Sequence, residues 1–176
     1  MAHNSVTVRV PAKVNLQLSV GPREADGFHN LVSVFQAISI FDDVTVTKSN
    51  QGSGVTISVT GEHTHGVPED HSNLAVKAAQ LIGEKFDFAV DVHIEIKKSI
   101  PVAGGMAGGS ADAAGTLVAM DALFQLEMSR EELHALGLVF VCAVSCAAFG
   151  VAGAVGDTQS SAGGVASADA GAFDSK

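Results

Sequence analysis

The patterning of this chain predicts an α+β domain, and three observations carry that prediction. Apolar and polar residues alternate with period two up to Gly61, helical spacing takes over from Leu74, and a glycine-rich loop joins the last strand-like segment to a helix. Strands come first and helices later, which favours segregated elements over a repeating strand-helix alternation.

In "SVTVRV" Val6, Val8 and Val10 alternate with polar residues. After Pro11 the alternation resumes in "KVNLQLSV", with Val14, Leu16, Leu18 and Val20 on one face and Lys13, Asn15 and Gln17 on the other. The segment 21–27, "GPREADG", has turn residues at both ends and predicts a loop. "LVSVFQAISI" (31–40), "DDVTVTKSN" and "VTISVTG" read as further short strands, so a meander is expected. Asn73 stands at an N-cap position before "LAVKAAQLIGEKF", a first helix. "VDVHIEIKKSI" returns to period two, Val90, Val92, Ile94 and Ile96 inward and Asp91, His93, Glu95 and Lys97 outward. After the glycine loop, Ala113, Leu117, Met120 and Phe124 mark one face of a helix beginning near Ser110. "SREE" at 129–132 has the capping-box pattern and starts a third helix through about Leu136.

The chain has 176 residues, enough for one domain with a real core; 47% are hydrophobic and 16% charged, a globular composition. A net charge of −9 argues against nucleic-acid or anionic-membrane partners, so any phosphate must be held locally, by amides and a few lysines. Cys142 and Cys146 lie four apart in an apolar run, without the spacing of a disulfide framework or a zinc site. The first ten residues, "MAHNSVTVRV", lack a secretory pattern, and a reducing cytoplasm is the expected location.

The chemistry concentrates in "PVAGGMAGGSADAAG", residues 101–115. A strand, a glycine loop and a helix start together expose several N–H groups at the positive end of a helix dipole, which suits a phosphate. Glycine permits close approach of backbone to phosphate oxygens and tolerates φ > 0. Ser110 could add a hydroxyl to the phosphate or to a bound magnesium. With no lysine between 99 and 115 this is not a P-loop, and the Gly-x-Gly spacing of a dinucleotide fingerprint is missing. On local chemistry alone, a loop that merely lets the helix pack on the strand remains the alternative. Asp112, read as lying in the first helical turn, suits a capping or dipole role.

Three stretches, "PAKVNLQLSV" (11–20), "DGFHNLVSVFQAI" (26–38) and "PVAGGMAGGSADAAGTLVAM" (101–120), resemble in order and spacing the small-molecule kinase superfamily of galactokinase, homoserine kinase, mevalonate kinase and phosphomevalonate kinase (GHMP kinases). Asp-Gly-aromatic-His followed by Leu and Phe is similar to the branch of that family acting on 4-diphosphocytidyl-2-C-methyl-D-erythritol, in non-mevalonate isoprenoid biosynthesis. The resemblance implies the family's N-terminal ATP-binding domain over residues 1–136, of the ribosomal protein S5 domain 2-like type, a mixed sheet with helices on one face. It implies a cytoplasmic enzyme that transfers the γ-phosphoryl group of ATP, with Mg2+, to the 2-hydroxyl of that cytidine diphospho-methylerythritol, without a nucleic-acid or membrane partner. By the same resemblance Pro101, Val102, Ala103, Gly104, Gly105, Met106, Ala107, Gly108, Gly109, Ser110 and Ala111 form the ATP-phosphate loop, Ser110 also meeting the magnesium. Lys13 is the active-site lysine and Asn15 projects from the same strand face towards substrate. His29 hydrogen-bonds the cytosine, Phe28 offers a ring to stack on it, and Lys98 belongs to the nucleotide site, although the pleat puts Lys97, not Lys98, on the polar face.

The family also places a catalytic aspartate just after the third helix. Here no Asp occurs between Asp121 and Asp157. Residues 137–176 are instead an apolar and low-complexity tail where the family has a C-terminal domain. The uncharged run 138–155 has three readings: a membrane-spanning helix, a buried core element, or the product of a shifted reading frame. A truncated or frame-shifted, catalytically dead nucleotide-binding fragment is therefore the alternative to an active kinase.

Overall fold

A computed structural model of the chain describes residues 4–23 and 29–149, with 141–149 described as helix backbone. The elements are β1 (Ser5–Arg23), β2 (His29–Lys48), β3 (Val55–Gly61), α1 (Leu74–Phe86), β4 (Val92–Lys98), α2 (Gly108–Phe124) and α3 (Arg130–Phe149). Two compact units divide it: Met1–Ala12 with Ser39–Phe140, and Lys13–Ile38 with Val141–Lys176. The strands β1 and β2 therefore each contribute residues to both units.

The four strands form one sheet in the order β1-β2-β4-β3, with β2 antiparallel and β3 parallel to β4. The expected meander is thereby corrected. Because α1 intervenes between β3 and β4, the chain crosses over and β4 lies between β2 and β3 rather than beyond them. The short strands expected before and after Pro11 are one continuous strand, and so are those expected over 31–48. Gly21, Pro22 and Arg23, read as the start of a loop, still belong to β1.

Local signals at helix ends match the structure closely. Asn73 Oδ1 accepts from the Ala75 amide at 2.9 Å, as an N-cap should, and α1 starts at Leu74. Ser129 and Glu132 form a reciprocal capping box, Glu132 Oε2 accepting from Ser129 N at 3.0 Å and Ser129 Oγ accepting from Glu132 N at 3.2 Å. The helix α2 begins at Gly108, two residues before Ser110, and α3 continues past Leu136 to Phe149. Residues 137–149 carry no proline and mostly helix-tolerant Ala, Leu and Val, so loss of amphipathic pattern there does not end the helix. Among the described residues no helix is long and apolar enough to cross a membrane; the uncharged run extends to 155, outside them.

In the larger unit the helices cover one face of the sheet. Val10, Val44, Val46, Val92, Ile94 and Ile96 meet Ala75, Ala78, Ala79 and Ile82 of α1 and Ala113, Leu117, Met120 and Leu123 of α2. On the opposite face cross-strand polar pairs line up, Ser5 with Thr47, Thr7 with Thr45 and Arg9 with Asp43. The numbers step in opposite directions along the two strands, as an antiparallel pairing requires. The helix α2 lies so close to the sheet that a Cβ on Gly115 would come within 2.7 Å of Val10 Cγ1 and 3.3 Å of Val44 Cγ2. Gly115→Val is expected to lower stability by about 1–3 kcal/mol through overpacking, read as a shifted urea midpoint at unchanged slope. An unchanged or raised midpoint would show that the helix is free to move away.

Candidate functional site

The glycine loop leaves the end of β4 at Lys98 and re-enters the fold as α2. Three of its residues have left-handed backbones: Ala103 (φ 60°), Gly105 (φ 69°) and Ala107 (φ 59°). Glycine adopts this region freely, but each alanine there costs about 1–2 kcal/mol. Strain held in a loop without regular structure is a mark of functional geometry. Ala107 is the N-cap of α2 and makes no side-chain capping bond, so the first-turn N–H groups keep their donors for a ligand at the positive end of the helix dipole. Val102, Ala103, Gly104, Gly105 and Gly109 are exposed, whereas Pro101, Met106, Ala107, Gly108 and Ala111 are half-buried. Ser110 is buried, and its hydroxyl donates to the Phe140 carbonyl at 3.3 Å.

Behind the loop lies a charged cluster. Lys98 is only 2% exposed, and its ammonium donates to Asp42 Oδ2 at 2.5 Å and to Asp112 Oδ2 at 2.7 Å. Asp42 Oδ1 accepts from the Ser99 and Ile100 amides at 2.6 and 2.9 Å, so one carboxylate closes the strand and begins the loop. Asp112 Oδ1 is buried without a hydrogen-bond partner. Burial, outweighing the nearby Lys98, raises the Asp112 carboxyl to about 7 from an ordinary value of 3.8, with the Asp42 carboxylate adding to the rise. The first-turn capping role expected for Asp112 is corrected: it lies beyond the first turn of α2 and turns inward to Lys98.

Asp42 escaped the sequence reading, although a signal was present. It is on the same pleat face as Val44 and Val46, and it stands one step beyond the Asp43↔Lys97 pair, opposite Lys98. An acid and a base on the core faces of neighbouring strands have no stable reading except a buried pair.

Lys13, Asn15 and His29 belong to the other unit. Lys13 Nζ donates to Asn15 Oδ1 at 2.9 Å, so the period-two reading of a shared face holds, and the ammonium lies 5.2 Å from the centre of the Phe35 ring. Partial burial draws the Lys13 ammonium below its ordinary pKa. His29 Nδ1 donates to the Gly21 carbonyl at 2.8 Å, because a carbonyl can only accept; in the neutral ring Nε2 is then left as an acceptor. Phe28 lies outside the described residues. On the far face from the Lys13 side, Leu16, Leu18 and Val20 are exposed.

Residues 73–164 match the model of the GHMP kinases N terminal domain, which is more than half of the chain. The chain belongs to the GHMP kinase family. It is 54% identical over 132 residues to 4-diphosphocytidyl-2-C-methyl-D-erythritol kinase of Mycolicibacterium smegmatis, covering 75% of this chain and 40% of that protein. The like-named kinase of Thermobifida fusca is 56% identical over 137 residues, covering 75% and 45%. Thus the chain spans less than half the length of these curated relatives. A crystal structure of 4-(cytidine 5'-diphospho)-2C-methyl-D-erythritol kinase is similar to it with a TM-score of 0.59 at 34% identity, over 77% of this chain and 46% of that one. Homoserine kinase from Cytophaga hutchinsonii, at 21% identity and a TM-score of 0.62, shares the fold. The expected α+β domain of the family, a mixed sheet with helices on one face, is therefore what the chain has.

The buried acid generates a pH prediction. Between about pH 4 and pH 7 the folded chain keeps a proton on Asp112 that the unfolded chain has released, so unfolding free energy falls as pH rises through that window and levels off above it. Lys98 and Asp42 are the charged groups facing it. Asp112→Asn carries no such proton in either state and should flatten the slope between pH 5 and pH 7 in urea unfolding; an identical slope in both proteins would refute the raised carboxyl.

Proposed function

We propose that this chain binds ATP through the loop Pro101–Ala111 and carries the nucleotide-binding part of an ATP-dependent kinase acting on 4-diphosphocytidyl-2-C-methyl-D-erythritol. The observation that carries this reading is the strained, uncapped loop at the start of α2, in a chain 54% identical over 132 residues to a kinase of that name. Amides at Gly104, Gly105, Gly108 and Gly109 would surround the β- and γ-phosphates. Their N–H donors neutralise phosphate charge without a lysine in the loop, and they need no reorganisation on binding.

Among the described residues no group of three or more His, Cys, Asp or Glu could hold a metal ion. Magnesium would arrive on the nucleotide's phosphates, and the Ser110 hydroxyl, whose lone pairs remain after it donates to Phe140, could meet it. When bound, the ion offsets negative charge on the transferring phosphoryl group.

In this reading Lys13, steadied by Asn15, supplies positive charge near the reacting hydroxyl. His29 presents Nε2 to the 4-amino group of cytosine, its tautomer set by Gly21, and Phe28 stacks on the base. A cytoplasmic location suits such chemistry.

A second reading rests on the sequence between Asp121 and Asp157, which lacks any aspartate to take the proton of the attacking hydroxyl. It makes this chain a nucleotide-binding fragment without turnover. One experiment separates the readings. ATP with magnesium at about 100 times its dissociation constant should stabilise the full chain by about 2.7 kcal/mol in thermal unfolding; no stabilisation at millimolar ATP overturns the loop assignment. With the cytidine substrate added, phosphorylated product that disappears in Lys13→Ala supports the active kinase, whereas ATP protection with no product supports the fragment. His29→Ala should weaken cytidine-substrate binding while leaving ATP binding intact, and equal losses for both would remove the base-recognition role.

A further inference from the structure

Both ends of the loop are tied to one ammonium group. At the entry, Asp42 holds the Ser99 and Ile100 amides with one oxygen and Lys98 with the other. At the exit, Asp112 on α2 reaches back to the same Lys98. The Lys98 ammonium lies beneath the loop's second glycine pair, where a Cβ on Gly108 would come within 3.1 Å of it and of Ile100 Cγ2. Three elements, β2, β4 and α2, thus meet at a nitrogen whose side chain is only 3% exposed. Between these ends Val102 to Gly105 are exposed, so little besides the tied ends sets their course.

We propose that Asp42, Lys98 and Asp112 are positioning residues that set the separation of the two ends of the phosphate loop, and that Lys98 acts on a bound nucleotide through the loop and not by touching it. Two of the three ammonium donors are spent on carboxyls inside the fold. With one base between two acids, full ionisation would leave an excess negative charge under an anion-binding loop; a proton shared with the acids keeps the cluster neutral there. The raised Asp112 carboxyl agrees with that balance.

The affinity arm of the test rests on the ATP reading above, so a second arm is independent of it. Amide hydrogen exchange is measured on the nucleotide-free full chain, and ATP affinity is measured separately, for wild type, Lys98→Met and Asp42→Asn. Should Lys98→Met fail to fold, Lys98→Met with Asp112→Leu replaces it, since that pair also removes one of the stranded acids. Positioning predicts roughly tenfold or greater acceleration of exchange over 99–109, with α1 and β3 unchanged, and roughly tenfold or greater loss of ATP affinity. A loss of affinity with wild-type exchange over 99–109 would mean that Lys98 touches the nucleotide, and would overturn the proposal. Acceleration spread evenly over α1 and β3 would mark a core role alone and would overturn it too, as would no change in either arm. If wild type binds no ATP, the nucleotide reading fails, while the exchange arm still decides the cluster.

Discussion

A lysine ammonium buried between two carboxyls is the constraint around which the larger unit is arranged. A charge removed from water is stable only with partners in place, and losing one partner of such a cluster costs about 3–5 kcal/mol. That requirement reaches far along the sequence. It demands an acid on the core face of β2 opposite the end of β4 and a second acid on α2, and it leaves little room for a side chain at Gly108. The two acids come from different elements, β2 and α2, so the cluster ties the end of β4 to both where the loop begins. The aliphatic core holds α1 and α2 on the sheet, and the cluster joins the N-terminal part of α2 to the end of β4.

The loop follows from that anchoring. Two alanines in left-handed conformations would relax in a free peptide, since each costs about 1–2 kcal/mol. They persist because both ends of a short segment are held. An anion site built in this way has its positive charge in oriented dipoles, which suits a chain with a net charge of −9 and no lysine in the loop. A neutral cluster underneath is then the compatible arrangement, because an unbalanced carboxylate there would oppose the phosphate.

Features set by neighbours in sequence were legible, and features set by partners far away were not. Asn73 and the Ser129–Glu132 box announce helix starts because capping involves residues two or three apart. The strand order was not legible, since placing β4 between β2 and β3 depends on crossover packing of α1, which no local pattern records. Pro11 and Pro22 were read as interruptions, yet β1 passes through both. It is the edge strand of the sheet, where an N–H facing away from β2 has no ladder bond to lose. Lys98 was legible as an inward residue from its register with Ile94 and Ile96, whereas Asp42 stood at the head of an expected strand without a role of its own. Asp112 suggested a helix dipole role because its partner lies fourteen residues back, on another element.

Binding a nucleotide and using it are physically separable demands on a protein. Binding needs amides in a fixed constellation, which the loop, its strained alanines and the uncapped start of α2 provide from backbone alone. Transfer needs, in addition, a group that accepts the proton of the attacking hydroxyl, and backbone amides only donate. The carboxylates nearest the loop do not meet that need: Asp42 is committed to two amides and Lys98, and Asp112 is buried with its free oxygen facing no partner. An acid enclosed in that way can balance charge but cannot reach a substrate. In the proposed reading, proton removal therefore has to come from residues outside the cluster that ties the loop.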